Sequence, residues 1–153
     1  NVAVDPVTHV NQAQVQSVGK AEYYGAELAA GYPIAPQLRI DANYTLIVRN
    51  NLSAPTVRFT DVPKHKVFAS LQYTPVSKLY VLASEEYNSQ RYSTSYGTVS
   101  GAFYLSNVKA HVTLAKGFSL EGGVNNLFDR NYTLVEGYPE EGRNYFTNLI
   151  FNY

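Results

Sequence analysis

The chain has 153 residues, with 12 Lys plus Arg against 12 Asp plus Glu, and so carries no net charge. That length suits one ordinary domain, and the charge balance removes any electrostatic case for a nucleic-acid partner. Cys is absent, which removes disulfides and thiolate-held metals, and no run of eighteen apolar residues exists, so a helical membrane span is excluded.

Residues 1–18 are polar; Asp5-Pro6 signals a turn, and Val10 to Val18 reads as a short extended segment. From Lys20 a clear alternation begins, with Tyr24, Ala26, Leu28, Ala30 and Tyr32 against Gly25, Glu27, Ala29 and Gly31. Successive strand residues point to opposite faces, so this spacing predicts a strand with one apolar face. A tight turn is expected over Tyr32 to Pro36, where two prolines stop ladder pairing. Leu38, Ile40, Ala42, Tyr44 and Leu46 then alternate with Arg39, Asp41, Asn43 and Thr45. Asn50 to Pro63 reads as a loop. Alternation resumes at Lys66, turns at Thr74 to Ser77, and continues less cleanly from Leu79 to Glu86, where Glu85 and Glu86 put a charge on each face.

Asn88 to Gly101 is a second long loop, rich in Ser, Thr and Tyr. Tyr104, Val108, Ala110, Val112 and Leu114 follow, opposite Lys109, His111 and Thr113. Lys116-Gly117 turns, and Phe118, Leu120, Gly122 and Val124 face away from Ser119, Glu121, Gly123 and Asn125. A third long loop, Asn126 to Arg143, leads to the final strand. There Tyr145, Thr147, Leu149, Phe151 and Tyr153 share one face, and Phe146, Asn148, Ile150 and Asn152 the other.

Two regularities point beyond an ordinary soluble fold. Connections alternate short and long, as tight periplasmic turns and long extracellular loops do in outer-membrane barrels. The runs reach about ten residues, the length a tilted strand needs to cross a bilayer, whereas soluble strands are typically about five or six. The expected fold is therefore all-β: an antiparallel transmembrane β-barrel, of which the chain supplies about seven or eight strands. In lipid every backbone group must be paired, so a sheet crosses only as a closed barrel. Glu27, Arg39, Asp41, Lys109, His111 and Glu121 all oppose the apolar set and are the candidates for a polar lumen. A soluble sandwich would show the same alternation with its direction reversed; strand length, loop asymmetry and the aromatic terminus favour the membrane. Fourteen Tyr suit interfacial girdles. With no Met, the chain is expected to be a processed product or, preferably, an internal fragment.

The final strand resembles the C-terminal strand of bacterial outer-membrane barrels. Several motifs narrow that resemblance to TonB-dependent outer-membrane receptors. These are Val18-Gly19-Lys20-Ala21-Glu22 with Tyr24-Gly25-Ala26-Glu27-Leu28, Pro63-Lys64-His65-Lys66, Val124-Asn125-Asn126-Leu127-Phe128-Asp129-Arg130-Asn131-Tyr132, Gly137-Tyr138-Pro139 and Gly142-Arg143. Ser17 stands where the family pattern has Asn, and Glu141 where many members have Pro. The resemblance runs from about residue 17 onward and implies a C-terminal part of the barrel domain, spanning 1–153, without its plug domain. It implies uptake of a metal–siderophore complex, cobalamin or a similar scarce ligand across the bacterial outer membrane. Its implied partners are outer-membrane lipid, the receptor's own plug and remaining strands, the TonB complex and the barrel-assembly machinery. The resemblance also makes Tyr145, Leu149, Phe151 and Tyr153 the signal read by that machinery.

No catalytic pattern and no metal-ligand spacing stands out, so neither an enzyme nor a cofactor is expected, and His9, His65 and His111 are too dispersed for a metal site. His111 with Lys109 and Glu121 reads either as a cluster touching the plug or, preferably, as scattered lumen polarity. Glu85-Glu86 and Glu140-Glu141 read better as solvated charges than as ligand sites. Tyr87, Tyr92, Tyr96 and Tyr104 read as girdle or loop packing before ligand contacts. The rival reading is a complete eight-stranded outer-membrane barrel with a structural or adhesive role, needing an eighth strand from residues 1–18.

Overall fold

The computed structural model describes residues 2–4, 11–13, 19–115 and 117–152. The expected turn at Asp5-Pro6, His9, residues 14–18, Lys116 and Tyr153 lie outside the described residues. Seven long strands form one antiparallel sheet in which each strand pairs with the next in sequence. They are β1 (Ala21–Ala35), β2 (Leu38–Asn51), β3 (His65–Val76), β4 (Leu79–Asn88), β5 (Phe103–Thr113), β6 (Phe118–Asn125) and β7 (Asn144–Phe151). The order is open: β1 and β7 are the edges and do not pair with each other. Val2–Val4 and Asn11–Ala13 pair only with one another, so among the described residues they add no eighth strand to the sheet.

The expected turn over Tyr32 to Pro36 is shorter than the sequence suggested. β1 runs on to Ala35 with a register shift between Pro33 and Ala35, and only residues 36–37 turn. Pro33 still sits opposite Arg39, next to the register shift at the end of the strand, where the ladder is already irregular and a missing N–H breaks at most one bond. Two of the long loops carry small ribbons, Arg91–Tyr92 with Val99–Ser100 and Thr133–Val135 with Tyr138–Pro139.

Pairing fixes which residues share a face. Tyr24, Leu28 and Tyr32 of β1 fall with Ile40, Leu71, Ala83, Val108, Leu120, Tyr145 and Leu149 on one apolar face. Nothing in the described chain covers it: Leu28 is 69 % exposed, Tyr145 72 % and Leu149 69 %, and Phe103 is the one buried hydrophobic residue among those described. A water-soluble sheet would have to bury such a face against a second layer.

Aromatic residues bound this face at both ends. Near the long loops stand Tyr24, Tyr87, Tyr104 and Tyr145; near the short turns stand Tyr32, Tyr73, Phe118 and Phe151. Aliphatic and small residues make up most of the band between, with Tyr44 and Glu85 as exceptions. One ladder row runs Tyr32, Ile40, Leu71, Ala83, Val108, Val124, Tyr145, from the lower aromatic end of β1 to the upper end of β7. The upper border thus slips by the eight residues from Tyr24 to Tyr32 while crossing six strand spacings. That is about 26 Å along the strands for about 29 Å across them, so level borders require a strand tilt of about 40°.

Candidate functional site

Two regions carry chemistry: the polar face of the sheet and the layer of long loops above it. Glu27, Arg39, Asp41, Lys109, His111 and Glu121 all fall on the polar face, at positions set by strand parity. They form separate groups. Arg39 holds the Asp41 carboxylate at 2.6 Å, two residues along the same strand. The backbone of β1 passes beside this pair at Gly31, where any side-chain carbon would run into both partners. Lys109 reaches Glu121 at 3.1 Å, and the same carboxylate accepts a hydrogen bond from the Tyr80 hydroxyl at 3.4 Å. His111 stacks on Tyr80 with ring centres 5.1 Å apart. Lys109, His111, Glu121 and Tyr80 therefore form one connected patch. Arg39 lies in the same ladder row as Lys109, but three strand spacings, about 14 Å, separate them. Glu27 stands apart, opposite Thr45.

The sequence reading had no signal for Tyr80, since its neighbours are apolar on both sides. It also paired no charge with Lys66, which meets Glu86 at 3.0 Å on the polar face. Glu85, on the apolar face, takes a hydrogen bond from the Ser106 hydroxyl opposite it. Among the described residues there is no group of three or more His, Asp or Glu able to hold a metal ion.

The long loops cover residues 52–64, 89–102 and 126–143, all at one end of the sheet. They are tied together by specific bonds. The backbone N–H of Arg58 donates to Ser95 O at 2.9 Å, and that of Asp61 donates to Tyr92 O at 2.9 Å. From the second loop, Arg91 Nε donates to Leu134 O at 3.1 Å, and its Nη2 donates to Thr133 O. Phe103 packs on Tyr132 with centroids 4.6 Å apart. Burial, with Glu140, Glu86 and Glu141 in reach, pushes the Tyr132 phenol above the usual tyrosine range.

The segment Asn126-Leu127-Phe128-Asp129 shows why those residue types recur together. Asn126 is buried with a positive φ of 49°, a conformation Asn tolerates better than most residues. Its side-chain oxygen accepts the Arg130 N–H at 2.7 Å, and its amide donates to the carbonyls of Arg130 and Glu141. Asp129, also at positive φ, accepts the Arg143 N–H at 2.8 Å beside Gly142. The motif closes the base of the third loop and so delivers β7 to β6.

On the terminal strand, Tyr145, Leu149 and Phe151 lie exposed on the apolar face, with Phe151 against Phe118 at 4.6 Å between ring centres. Tyr153, the last member of that expected set, lies outside the described residues.

Residues 1–127 match the family model described as "TonB dependent receptor-like, beta-barrel". Solved structures share the fold. A ferric enterobactin receptor from Pseudomonas aeruginosa is 21% identical with a TM-score of 0.77, over 88% of this chain and 22% of its own. A structure named copper transporter OprC is 21% identical with a TM-score of 0.75, over 86% of this chain and 23% of its own. A siderophore receptor from Acinetobacter baumannii is 20% identical with a TM-score of 0.70, over 87% of this chain and 22% of its own. The chain thus spans less than a quarter of the length of these solved structures. No curated protein matches the sequence.

Proposed function

The chain belongs to the TonB-dependent receptor-like β-barrel family, and we propose that it forms the C-terminal part of the barrel wall of a receptor in the bacterial outer membrane. In this reading the apolar face meets lipid, and Glu27, Arg39, Asp41, Lys109, His111 and Glu121 line the lumen. The long loops face outward, and the remaining strands and the plug come from the rest of a longer protein. The whole receptor takes up a metal–siderophore complex or a similarly scarce ligand, driven by the TonB complex.

The observation that carries the reading is the two-faced sheet itself, with an uncovered, mostly aliphatic band bordered by aromatic rows and the strand charges, Glu22 and Glu85 apart, on the other side. Charge on the lipid side costs about 2–4 kcal/mol for Arg or Lys at midplane, whereas a water-filled lumen tolerates it. The family consists of transport receptors, which supports that role. Tyr145, Leu149, Phe151 and Tyr153 serve in this reading as the signal for the barrel-assembly machinery, and an aromatic lipid face near the seam seals the last strand against the first.

The test is uptake in cells whose only difference is deletion of the gene carrying this chain. A panel of radiolabelled ferric siderophores, cobalamin and a copper chelate would be offered with and without an uncoupler. Loss of energy-dependent uptake of one ligand is the expected result. Uptake of every ligand unchanged by the deletion, with the protein found outside the outer-membrane fraction, would overturn the reading.

A further inference from the structure

We propose that Glu85, Ser106, Tyr87 and Tyr104 form a docking site on the apolar face for a lipid carrying a primary ammonium headgroup. The site rests on the reading above, in which this face meets the bilayer. Two neighbouring ladder pairs of β4 and β5 build it, Glu85 opposite Ser106 and Tyr87 opposite Tyr104. Residues two apart on a strand share a face, so all four side chains stand on the same side of the sheet. Glu85 lies one pair inside the upper aromatic border, about 7 Å along the strand and so about 5 Å deep at a tilt of about 40°. At that depth headgroups give way to acyl chains.

Glu85 has no cation to meet within the sheet. No Lys or Arg falls on this face in any of the seven strands, and the neighbours of Glu85 are Ala69 opposite it on β3, Ala83 below it and Val108 on the diagonal. The ion pairs among the described residues, Arg39–Asp41, Lys66–Glu86 and Lys109–Glu121, all lie on the polar face. Glu22, the other acid of this parity, stands beyond Tyr24 at the loop end of β1 and takes the Asn50 amide at 2.9 Å. Among the described residues the Ser106 hydroxyl is the one donor to the Glu85 carboxylate. A carboxylate offers about four acceptor positions, so most of its capacity is open on the lipid side. Ionisable groups at membrane depth are costly and rare, and as a rule they mark a contact with a partner.

The two tyrosines define the chemistry of that partner. Their rings meet one pair above the carboxylate, 4.8 Å apart between centres and tilted by 34°. Tyr104 is 59 % exposed, which leaves ring surface open on the lipid side. An ammonium is drawn to the negative face of an aromatic ring, and more strongly once desolvated. It also brings three donors, which the carboxylate, the Ser106 oxygen and the phenol oxygens accept. Charge attraction is stronger at the edge of hydrocarbon than in water, and an anionic headgroup without an amine meets repulsion from Glu85 instead. A lipid delivers its ammonium at this depth while its chains lie on the aliphatic band below, from Ala83 and Val108 down to Leu79 and Val112. A soluble amine carries no such anchor.

The experiment uses the full receptor carrying this chain, in detergent, equilibrated with mixed micelles of equal phosphatidylethanolamine and phosphatidylglycerol. Native mass spectrometry counts the lipid each sample retains. The wild type should favour phosphatidylethanolamine by about five-fold. Glu85→Gln keeps the shape and an acceptor for Ser106, and should lose that preference. Glu86→Gln, next in sequence but on the polar face, should keep it. Equal retention of both lipids by the wild type, or the same preference in Glu85→Gln, overturns the site. A dimer that depends on Glu85, in place of retained lipid, gives the face to a second copy and overturns it as well. Heat-modifiable migration of the same samples separates the two readings. A folded barrel without lipid preference refutes the docking site alone, and a protein that never folds as a barrel refutes the receptor reading with it.

Discussion

Tyr32 and Tyr145 occupy one row of the ladder, yet they belong to opposite aromatic borders of the apolar face. Both borders can be level with a membrane only if the strands lean. Polarised infrared spectroscopy of the receptor in oriented bilayers should give a mean strand tilt of about 40°, within the range of outer-membrane barrels. Strands upright to within a few degrees would contradict the geometry.

Adjacent residues of β1 should respond oppositely to the same substitution. Leu28 lies midway between Tyr24 and Tyr32 on the exposed apolar face, and Glu27 lies on the polar one. Leu28→Arg should cost about 2–4 kcal/mol of barrel stability, and Glu27→Arg well under half of that. Urea or guanidinium titration of the barrel in lipid measures both. Equal costs would mean that the faces are assigned wrongly.

Arg91 bridges to a loop more than forty residues away in sequence through Leu134 O. Arg91→Met should remove two charge-assisted bonds and loosen the segment 126–143 by about 3 kcal/mol. Arg91→Lys should recover only part, since an ammonium lacks the fork geometry. Faster proteolysis or hydrogen exchange confined to that loop is the expected signature.

Tyr132 gives the loops a dependence on alkaline pH. Its phenol is held above the usual range, so the folded chain keeps the proton more tightly than the unfolded one. Stability from this source is full below the unfolded value of about 10 and declines as the pH rises through the folded one. Protease resistance of the third loop should fall above pH 10 in the wild type. Tyr132→Phe should flatten that decline, and an unchanged profile would exclude Tyr132 as its cause.

The terminal strand invites a test of assembly. Phe151→Asp places a charge at the aromatic border and removes the contact with Phe118. Heat-modifiable receptor in the outer membrane should drop several-fold, whereas Asn148→Asp, on the opposite face, should leave it near normal. Similar losses for both would point to general misfolding of the strand.

The wall was legible in the sequence because its rule is local. Alternation from Tyr24 to Tyr32 and from Leu38 to Leu46 fixes strand, face and neighbours at once, and the positions of Lys109, His111 and Glu121 follow from parity alone. Pro33 misled, because proline reads as the start of a turn but is tolerated at a register shift near a strand end. The loop frame left no comparable trace. Arg91 meets Thr133 and Leu134, and Arg58 meets Ser95, through backbone carbonyls that any residue supplies. The cleft between the segments 52–64 and 89–102 was hidden for a related reason: Arg49 at the end of β2 meets Lys64 and Arg91 only through the folding of those two segments, and the three share no spacing.

Strict parity of the faces has an evolutionary consequence. A one-residue insertion between Tyr24 and Tyr32 would turn every later side chain of that strand to the other face, sending Glu27-like positions into hydrocarbon. Length can therefore change freely only in the segments beyond the strand ends, and the three at the open end already hold the longest of these. Related genes should differ there by insertions of any size and keep their strands free of single-residue gaps. New ligand preferences would then arise by adding chain on one side of the membrane while the wall keeps its count.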